Sequence, residues 1–400
     1  MSPLDDAAAF APTIEAARLR LHAVQPADYA KSRNHLLGSV TRLSPYLTHG
    51  FLSLRQVVDH LQRRHGLALD HKLLQELGWR AYFQHTWRRD GAAMLQSHHP
   101  GPLPDAAYAR ELPADLREAR TGVPVIDQTV RTLYATGYLH NHARLWLASY
   151  TVHLRKVHWR SGADWMVTHL LDGDLGSNHL SWQWVAGTAS SKPYLFNADN
   201  VAKFAPTGWH SPNTVIDTSY EQLDALARQP HDCGPERSAI DGVSEPAALM
   251  CPPGDLFVVP DARAVAGRDV WLVHPWALGE VPGGLLPVAV LDADWHARWP
   301  WSQRRWLFVV TRMQALAALR WFGPQTELLQ TLRAARSVQG WRNPHLDAAW
   351  DALPLNQPPA PWSEPAQRCR SFSAYWAWVR EHAPQAANPV LSIQGALFHD

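Results

Sequence analysis

Cysteine is scarce in this chain: Cys233, Cys251 and Cys369 are the only three, far apart, with no Cys-x-x-Cys pair. An odd number of widely spaced thiols disfavours a disulfide framework and is too few for a four-cysteine iron–sulfur cluster. A reducing, cytoplasmic setting is therefore expected. There is no apolar run of the roughly eighteen residues that a membrane-spanning helix needs. The N-terminus, MSPLDDAAAF, is acidic and lacks the basic stretch that opens a secretory signal. Neither a Gly-x-Gly-x-x-Gly nor a Walker motif is present, so classical dinucleotide or NTP binding by the strand-bearing C-terminal part has no support. His140 and His142 are two apart and would project to different faces of a helix, with no matching carboxylates, so no metal site is expected. No internal repeat is visible.

Charge of either sign is in near balance, with 37 Lys and Arg against 36 Asp and Glu. It is unevenly spread: residues 1–210 hold 22 basic against 17 acidic side chains, and the remainder 15 against 19. The first half is thus the better match for a polyanionic partner. What the chain has in abundance is tryptophan, 20 in 400 residues. An indole is costly to bury without a partner for its N–H, so clusters often line ligand sites, although many are simply large core residues.

The length and a 46% hydrophobic content suit two or three domains with full cores. Helical spacing is read at 13–23, 53–65, 70–89, 123–137, 141–158, 163–171 and 178–188, with Pro124 in a first turn and Gly137 as a C-terminal stop. Ser161 and Asp164 offer caps. Strict two-residue alternation is absent there, so residues 1–209 read as an all-helical domain. Residues 210–255, rich in Pro, Ser, Asp and Gly, read as a linker. Short β-branched runs at Leu256–Val259, Val270–Val273 and Val288–Leu291, then a helix over Arg305–Leu319, indicate a smaller α/β domain over 256–385 with a mostly parallel sheet. It holds a Pro-rich connector at 353–365 and a Trp- and Tyr-rich helix near 371–382. Residues 386–400 read as a tail.

Four stretches carry chemistry. In Ser39–Gly50, Ser44 reads as an N-cap before Pro45, with Thr41 and Arg42 beside it: oriented donors and a cation, as a pyrophosphate requires. From spacing alone an ordinary capped helix with a surface arginine is the better reading. Glu76 and Trp79 are one helical turn apart and share a face. Asn141, His142 and Arg144 follow in a later helix. Residues 172–184, Asp-Gly-Asp-Leu-Gly-Ser-Asn-His-Leu-Ser-Trp-Gln-Trp, set polar groups directly before aromatics, as a planar, partly polar ligand would need.

These stretches, in this order over about residues 25–206, resemble the photolyase and cryptochrome family. The resemblance implies an all-helical FAD-binding domain followed here by an α/β Rossmann-like domain. In the family that domain comes first and acts as an antenna. Asp269-Val-Trp-Leu-Val-His-Pro-Trp, Leu286–Trp295 and Arg304-Arg-Trp-Leu-Phe look faintly like that domain moved to the C-terminus. By resemblance, Tyr29, Thr41, Arg42, Leu43 and Ser44 would hold the FAD pyrophosphate. Arg80, Arg144, Asp172, Gly173 and Asp174 would hold the rest, with Arg144 pairing Asp172. Asn178 would sit beside flavin N5, as an amide able to accept from a protonated nitrogen or donate to a bare one.

Trp182 and Trp159 would begin an electron-transfer chain whose third tryptophan is missing; Tyr108, Trp146 and Trp165 are the available substitutes. Glu76, Trp79, Asn141 and Trp184 would face a flipped-out pyrimidine dimer. Arg33, His142, Lys192 and Lys203 would meet DNA backbone. Asn141 with Leu145 points to cyclobutane dimers rather than six-four photoproducts. His142 replaces a family arginine, Val40 a hydroxyl residue, and Leu73, Ala81 and Gln84 depart from the pattern.

The implied activity is that of a deoxyribodipyrimidine photolyase, a carbon–carbon lyase in which light-excited reduced FAD gives an electron to the dimer. The alternative is a cryptochrome-like blue-light photoreceptor signalling through a partner. The expected partner is damaged DNA, possibly single-stranded. The expected state is a monomer free of membranes and metals, with any antenna chromophore unidentified.

Overall fold

The computed structural model describes residues 10–235 and 241–383, so the expected 386–400 tail lies outside the described residues. The helical half runs α1 (Ile14–His22), α2 (Pro26–Ser32), α3 (Ser44–Thr48), α4 (Leu54–His65), α5 (Lys72–Asp90), α6 (Ala114–Arg117), α7 (Pro124–Thr136), α8 (Asn141–Ser149), α9 (Trp159–His169), α10 (Leu175–Ala186), α11 (Ala198–Phe204) and α12 (Tyr220–Ala227). Local chemistry sets several of these boundaries. Ser53 and Gln56 form a reciprocal capping box on α4, and Gly66 ends it at φ +63°. Pro124 opens α7 and Gly137 closes it at φ +68°.

The helix expected over 141–158 is broken by a π turn at Tyr150–Leu154, and α9 starts earlier than expected, capped by His158. Ser161 and Asp164 lie inside α9 and cap nothing. The described parts of 210–255 are not a loose tether. They include α12 and Glu245, which pairs with Arg117 at 2.8 Å and accepts from the Trp165 indole at 3.0 Å.

The second half contains β1 (Ala248–Leu249), β2 (Asp269–Val273), β3 (Leu286–Asp292), α13 (Ala293–Arg298), β4 (Trp301–Ser302), α14 (Gln303–Leu316), β5 (Leu319–Gly323), α15 (Gln325–Leu332), β6 (Ser337–Gly340) and α16 (Phe372–His382). β1 and β4 form a short antiparallel pair. The other four strands form one parallel sheet in the order β5-β3-β2-β6, with Val270 paired to Leu286 on one side and Val338 on the other. Buried on both faces, β2 and β3 read as continuous apolar runs, as parallel strands do. The 256–259 run makes no strand of its own; only Val258 bridges to Trp321. Leu319, expected at a helix end, starts β5.

The strand order reverses at β2, so the sheet's crevice lies beyond the C-terminal ends of β2 and β6. Here that position is filled: Trp276 stacks on His345 at 4.4 Å and 5°, and His274 bonds the Trp341 carbonyl at 2.8 Å. This end of the sheet faces the helical half. His49 sits between the carbonyls of Pro275 (2.6 Å) and Leu171 (2.8 Å), and the Leu278 amide donates back to His49.

The apolar cores cut across the expected domain boundary. One joins Tyr46, Phe51, Leu61 and Leu74 to Val273, Val290, Phe308 and Trp376. The other joins Leu116, Val130, Leu147, Trp159, Phe196 and Leu223. α10 lies between them, giving Leu175 and Leu180 to the first and Trp182 and Val185 to the second. No helix among the described residues is long and apolar enough to cross a membrane.

Candidate functional site

The turn into α10 is built around two buried carboxylates. Asp172 accepts two bonds from Arg144 Nη2 at 3.0 and 2.8 Å, while Arg144 Nε is spent on the Leu139 carbonyl at 2.9 Å. This is the pairing the resemblance implies, and burial makes it necessary. Asp174 caps α10 by accepting from the Ser177 amide at 2.7 Å, and its other oxygen accepts from Gln84 at 2.8 Å. Burial opposes its charge, but Arg80, His345 and the Ser177 bonds outweigh that and hold the carboxyl below its ordinary range. Arg80 stands 3.9 Å from Asp174 and donates to Thr48, whose hydroxyl donates to the Asp172 carbonyl.

Gly173 also makes a contact with the other half of the protein. A Cβ there would lie 2.5 Å from Arg305 Nη1 and 2.6 Å from the Val167 oxygen. Arg305, 1% exposed, donates to the Gly173 carbonyl at 2.6 Å and the Val167 carbonyl at 3.0 Å, and lies over the Trp301 ring at 4.0 Å. Burial pulls its guanidinium down, and the Asp172 and Asp174 charges resist that pull. His345 Nε2 accepts from the Leu175 amide at 3.3 Å, and its Nδ1 bonds Asn343 at 2.8 Å.

Asn178 gives its amide N–H to the Ala163 carbonyl at 2.9 Å. One N–H is thus spent and fixes the amide, while the second N–H and the carbonyl oxygen stay available to a ligand.

In the phosphate-type stretch, Arg42 is held at φ +49°, an uncommon conformation for a side-chain-bearing residue. Ser44 is the first residue of α3 rather than its cap, and no side chain caps that helix. α3 is only five residues long, so its first N–H groups, not a long dipole, are what it can offer. Thr41 Oγ1 accepts from the Leu43 amide at 3.4 Å. Leu43 is 1% exposed and belongs to the first core. Tyr29 is half-buried; burial and Glu76 push its phenol well above the usual range.

Glu76 lies 3.8 Å from Arg33 with its side chain 45% exposed. Apolar surroundings raise its carboxyl, and Arg33 and Lys72 pull it back. Trp79 is stacked on Phe372 of α16 at 4.0 Å and 12°, a neighbour with no counterpart among the expected site residues. Asn141 is exposed at the start of α8. His142 lies flat between His140 (5.8 Å) and Phe204 (5.1 Å), and burial, Arg33 and His35 push it down to about 4. It presents ring surface, not charge.

Lys203 lies over Phe204 at 5.2 Å, and shares a polar groove of about 630 Å³ with Asp199, Asp217 and Glu221, the wrong sign for phosphate. Lys192 is exposed on the turn after α10, where Ser190 donates to the Trp184 and Lys192 carbonyls. Trp184 is 38% exposed and lies beside Tyr194.

Trp182 packs on Gly162, where a Cβ would lie 2.3 Å from its ring, one helical turn from Trp159. Two routes continue from Trp159, each through a histidine. His158 (5.6 Å) leads to Tyr108 (6.3 Å), and His179 (6.4 Å) leads to Trp299 of the sheet half (5.6 Å). Trp299 was not among the expected substitutes. Trp146 and Trp165 are committed to Asn200 and Glu245.

Fold and site together define a helical ligand-binding unit braced by a doubly wound parallel sheet. Residues 73–208 match the family model described as the FAD binding domain of DNA photolyase. Over this helical part the chain is similar to proteins of the photolyase and cryptochrome family. A deoxyribodipyrimidine photo-lyase of Streptomyces griseus is 33% identical over 165 residues, 41% of this chain and 36% of that protein. A chloroplastic/mitochondrial cryptochrome DASH of Oryza sativa subsp. japonica is 34% identical over 170 residues, 40% of this chain and 29% of that one. The matches thus span well under half the length of these curated relatives. A crystal structure of a Synechocystis cryptochrome aligns over 48% of this chain and 43% of its own with 27% identity and a TM-score of 0.43.

Proposed function

We propose that the protein is a light-dependent FAD flavoprotein that splits cyclobutane pyrimidine dimers in DNA. The observation that carries this reading is Glu76, a half-exposed carboxylate beside Arg33, one turn from Trp79 on the helix whose Arg80 and Gln84 reach the Asp174 end of the flavin-type segment. A carboxyl that reads a base edge, an indole on which a base stacks, and a cofactor site on the same helix suit an enzyme that extracts a base. Bound FAD would supply light absorption and the transferred electron. Arg144 and Asp172, Arg80 and Asp174 would orient it, Asn178 would accept at N5, Thr41, Arg42 and Ser44 would meet the pyrophosphate, and Trp182 with Trp159 would relay electrons. Arg33 would supply the phosphate-facing charge.

A second reading, a cryptochrome-like photoreceptor, is favoured by His142, an uncharged ring where the family pattern has arginine, and by the carboxylates around Lys203.

The test is illumination of the reduced, FAD-loaded protein with single- and double-stranded oligonucleotides carrying a thymine dimer. Recovery of thymine absorbance in light and not in darkness supports repair. No recovery on either substrate rejects it.

A further inference from the structure

α5 carries two different faces. Glu76, Arg80 and Gln84 follow the four-residue spacing of one face. Gly78, Tyr82 and His85 lie on the opposite side, and α16 packs there. Trp376 lies so close to Gly78 that a Cβ would meet its ring at 2.3 Å, and Tyr375 lies 5.7 Å from Tyr82 and 5.4 Å from His85. Trp79 stands on the border between the two faces. One side of its indole is covered in parallel by Phe372, which also meets Tyr82 edge-on at 6.1 Å.

The placement of Phe372 is over-determined. Trp376 backs it at 5.7 Å and Trp362 meets Trp376 at 5.0 Å. The strap leading into α16 is fastened along the end of α5. Glu364 bonds His85 (2.8 Å) and Arg88 (2.7 Å), Arg89 donates to the Pro365 carbonyl (3.1 Å), and Arg368 pairs with Asp90 (2.7 Å). The Cys369 amide donates to His85 Nε2 at 3.2 Å. A ring fixed on one face loses little freedom when a second ring stacks on the other.

We propose that Phe372 is a positioning residue that completes a base-stacking site from the far end of the chain. It covers the α16 side of Trp79 and presents the other indole face, on the Glu76 side, to a nucleobase turned out of DNA. This rests on the dimer-repair reading and adds to it the residue that sets the stacking plane. The sandwich runs Phe372, Trp79, base. The opposite arrangement, in which Phe372 plugs the base's own place, predicts the reverse effect of removing it.

The test is binding of the FAD-loaded full chain, in darkness, to a single-stranded oligonucleotide with one thymine dimer and to its undamaged twin. Phe372→Ala weakens dimer binding by about three- to ten-fold and leaves undamaged binding unchanged. Phe372→Tyr retains the wild-type preference, while Phe372→Leu, which keeps apolar volume without a ring, behaves like the alanine variant. Quenching of indole fluorescence on dimer binding falls in step in Ala and Leu. Melting temperature and flavin content are recorded for each, and the Leu variant carries the test if Ala unfolds. Tighter dimer binding by Phe372→Ala or Phe372→Leu overturns the proposal in favour of a plug. Unchanged binding in both removes any role for Phe372 while leaving the repair reading intact. A wild-type protein with no preference for the dimer overturns both.

Discussion

Arg305 and Gly173 occupy one another's space: the guanidinium donates to the glycine's carbonyl at 2.6 Å and fills the position a β-carbon would take. The carboxylate-bearing turn of the helical half is therefore held from the sheet half. Replacing Arg305 with Met leaves the Gly173 and Val167 carbonyls buried without donors, at a cost of about 2–5 kcal/mol. Gly173→Ala forces Arg305 aside and is expected to cost a comparable amount. Chemical denaturation of both variants checks the cost. FAD retained after gel filtration is expected to fall in both.

His142 offers a ring where a phosphate-binding protein gains from a cation. His142→Arg is expected to strengthen binding of undamaged single-stranded DNA. The plot of log affinity against log salt steepens by about 0.7 for one added phosphate contact. A titration over several salt concentrations measures both. An unchanged slope would place phosphate away from α8.

Glu364 is held down to about 2, burial opposing and the His85 and Arg88 bonds prevailing, below an unfolded value of 4.5. A depressed carboxyl stabilises the fold above its unfolded pKa, and that contribution is lost as pH falls from about 4.5 through about 2. The strap over α5 is thus expected to loosen across this acid window. Glu364→Gln lowers stability at pH 7 by about 1–2 kcal/mol and flattens the acid limb. Melting temperature against pH, with near-ultraviolet circular dichroism reporting the Trp79–Phe372 stack, reads both effects.

The two routes out of Trp159 separate by substitution. Trp299→Phe is expected to slow aerobic photoreduction of the FAD-loaded protein several-fold if electrons leave through His179. Tyr108→Phe does so if they leave through His158. Trp182→Phe slows it in either case. Photoreduction rates under constant blue light, compared across the three variants, decide the route.

The parts legible in the sequence were those encoded within short stretches. The partnership of Arg144 with Asp172 and the placement of Glu76 one turn before Trp79 follow from local spacing plus family resemblance. β2 and β3 follow from uninterrupted apolar runs. The rest is non-local. Arg305, His345 and His49 carry no motif, and their role exists only once β2, β6 and α10 are brought together. β6, Ser-Val-Gln-Gly, is too short and polar to announce a strand, and β5 begins at Leu319, where an apolar helix was still being read. Gln84 departs from the family pattern in sequence, yet it holds Asp174. Gly78 carries no motif, and its role is the close approach of the Trp376 ring.

The bracing of α10 also dictates an order of events during synthesis. Arg305 follows Gly173 by 132 residues and His345 follows Leu175 by 170. At ordinary translation rates the ribosome needs on the order of ten seconds to make that intervening chain. Throughout that interval the helices that carry the cofactor-type residues exist without the side chains that lock their turn. The apolar faces of Tyr46 and Phe51 also wait for Phe308. A nascent chain therefore exposes these apolar faces over a defined interval, after α12 has emerged and before α14 has.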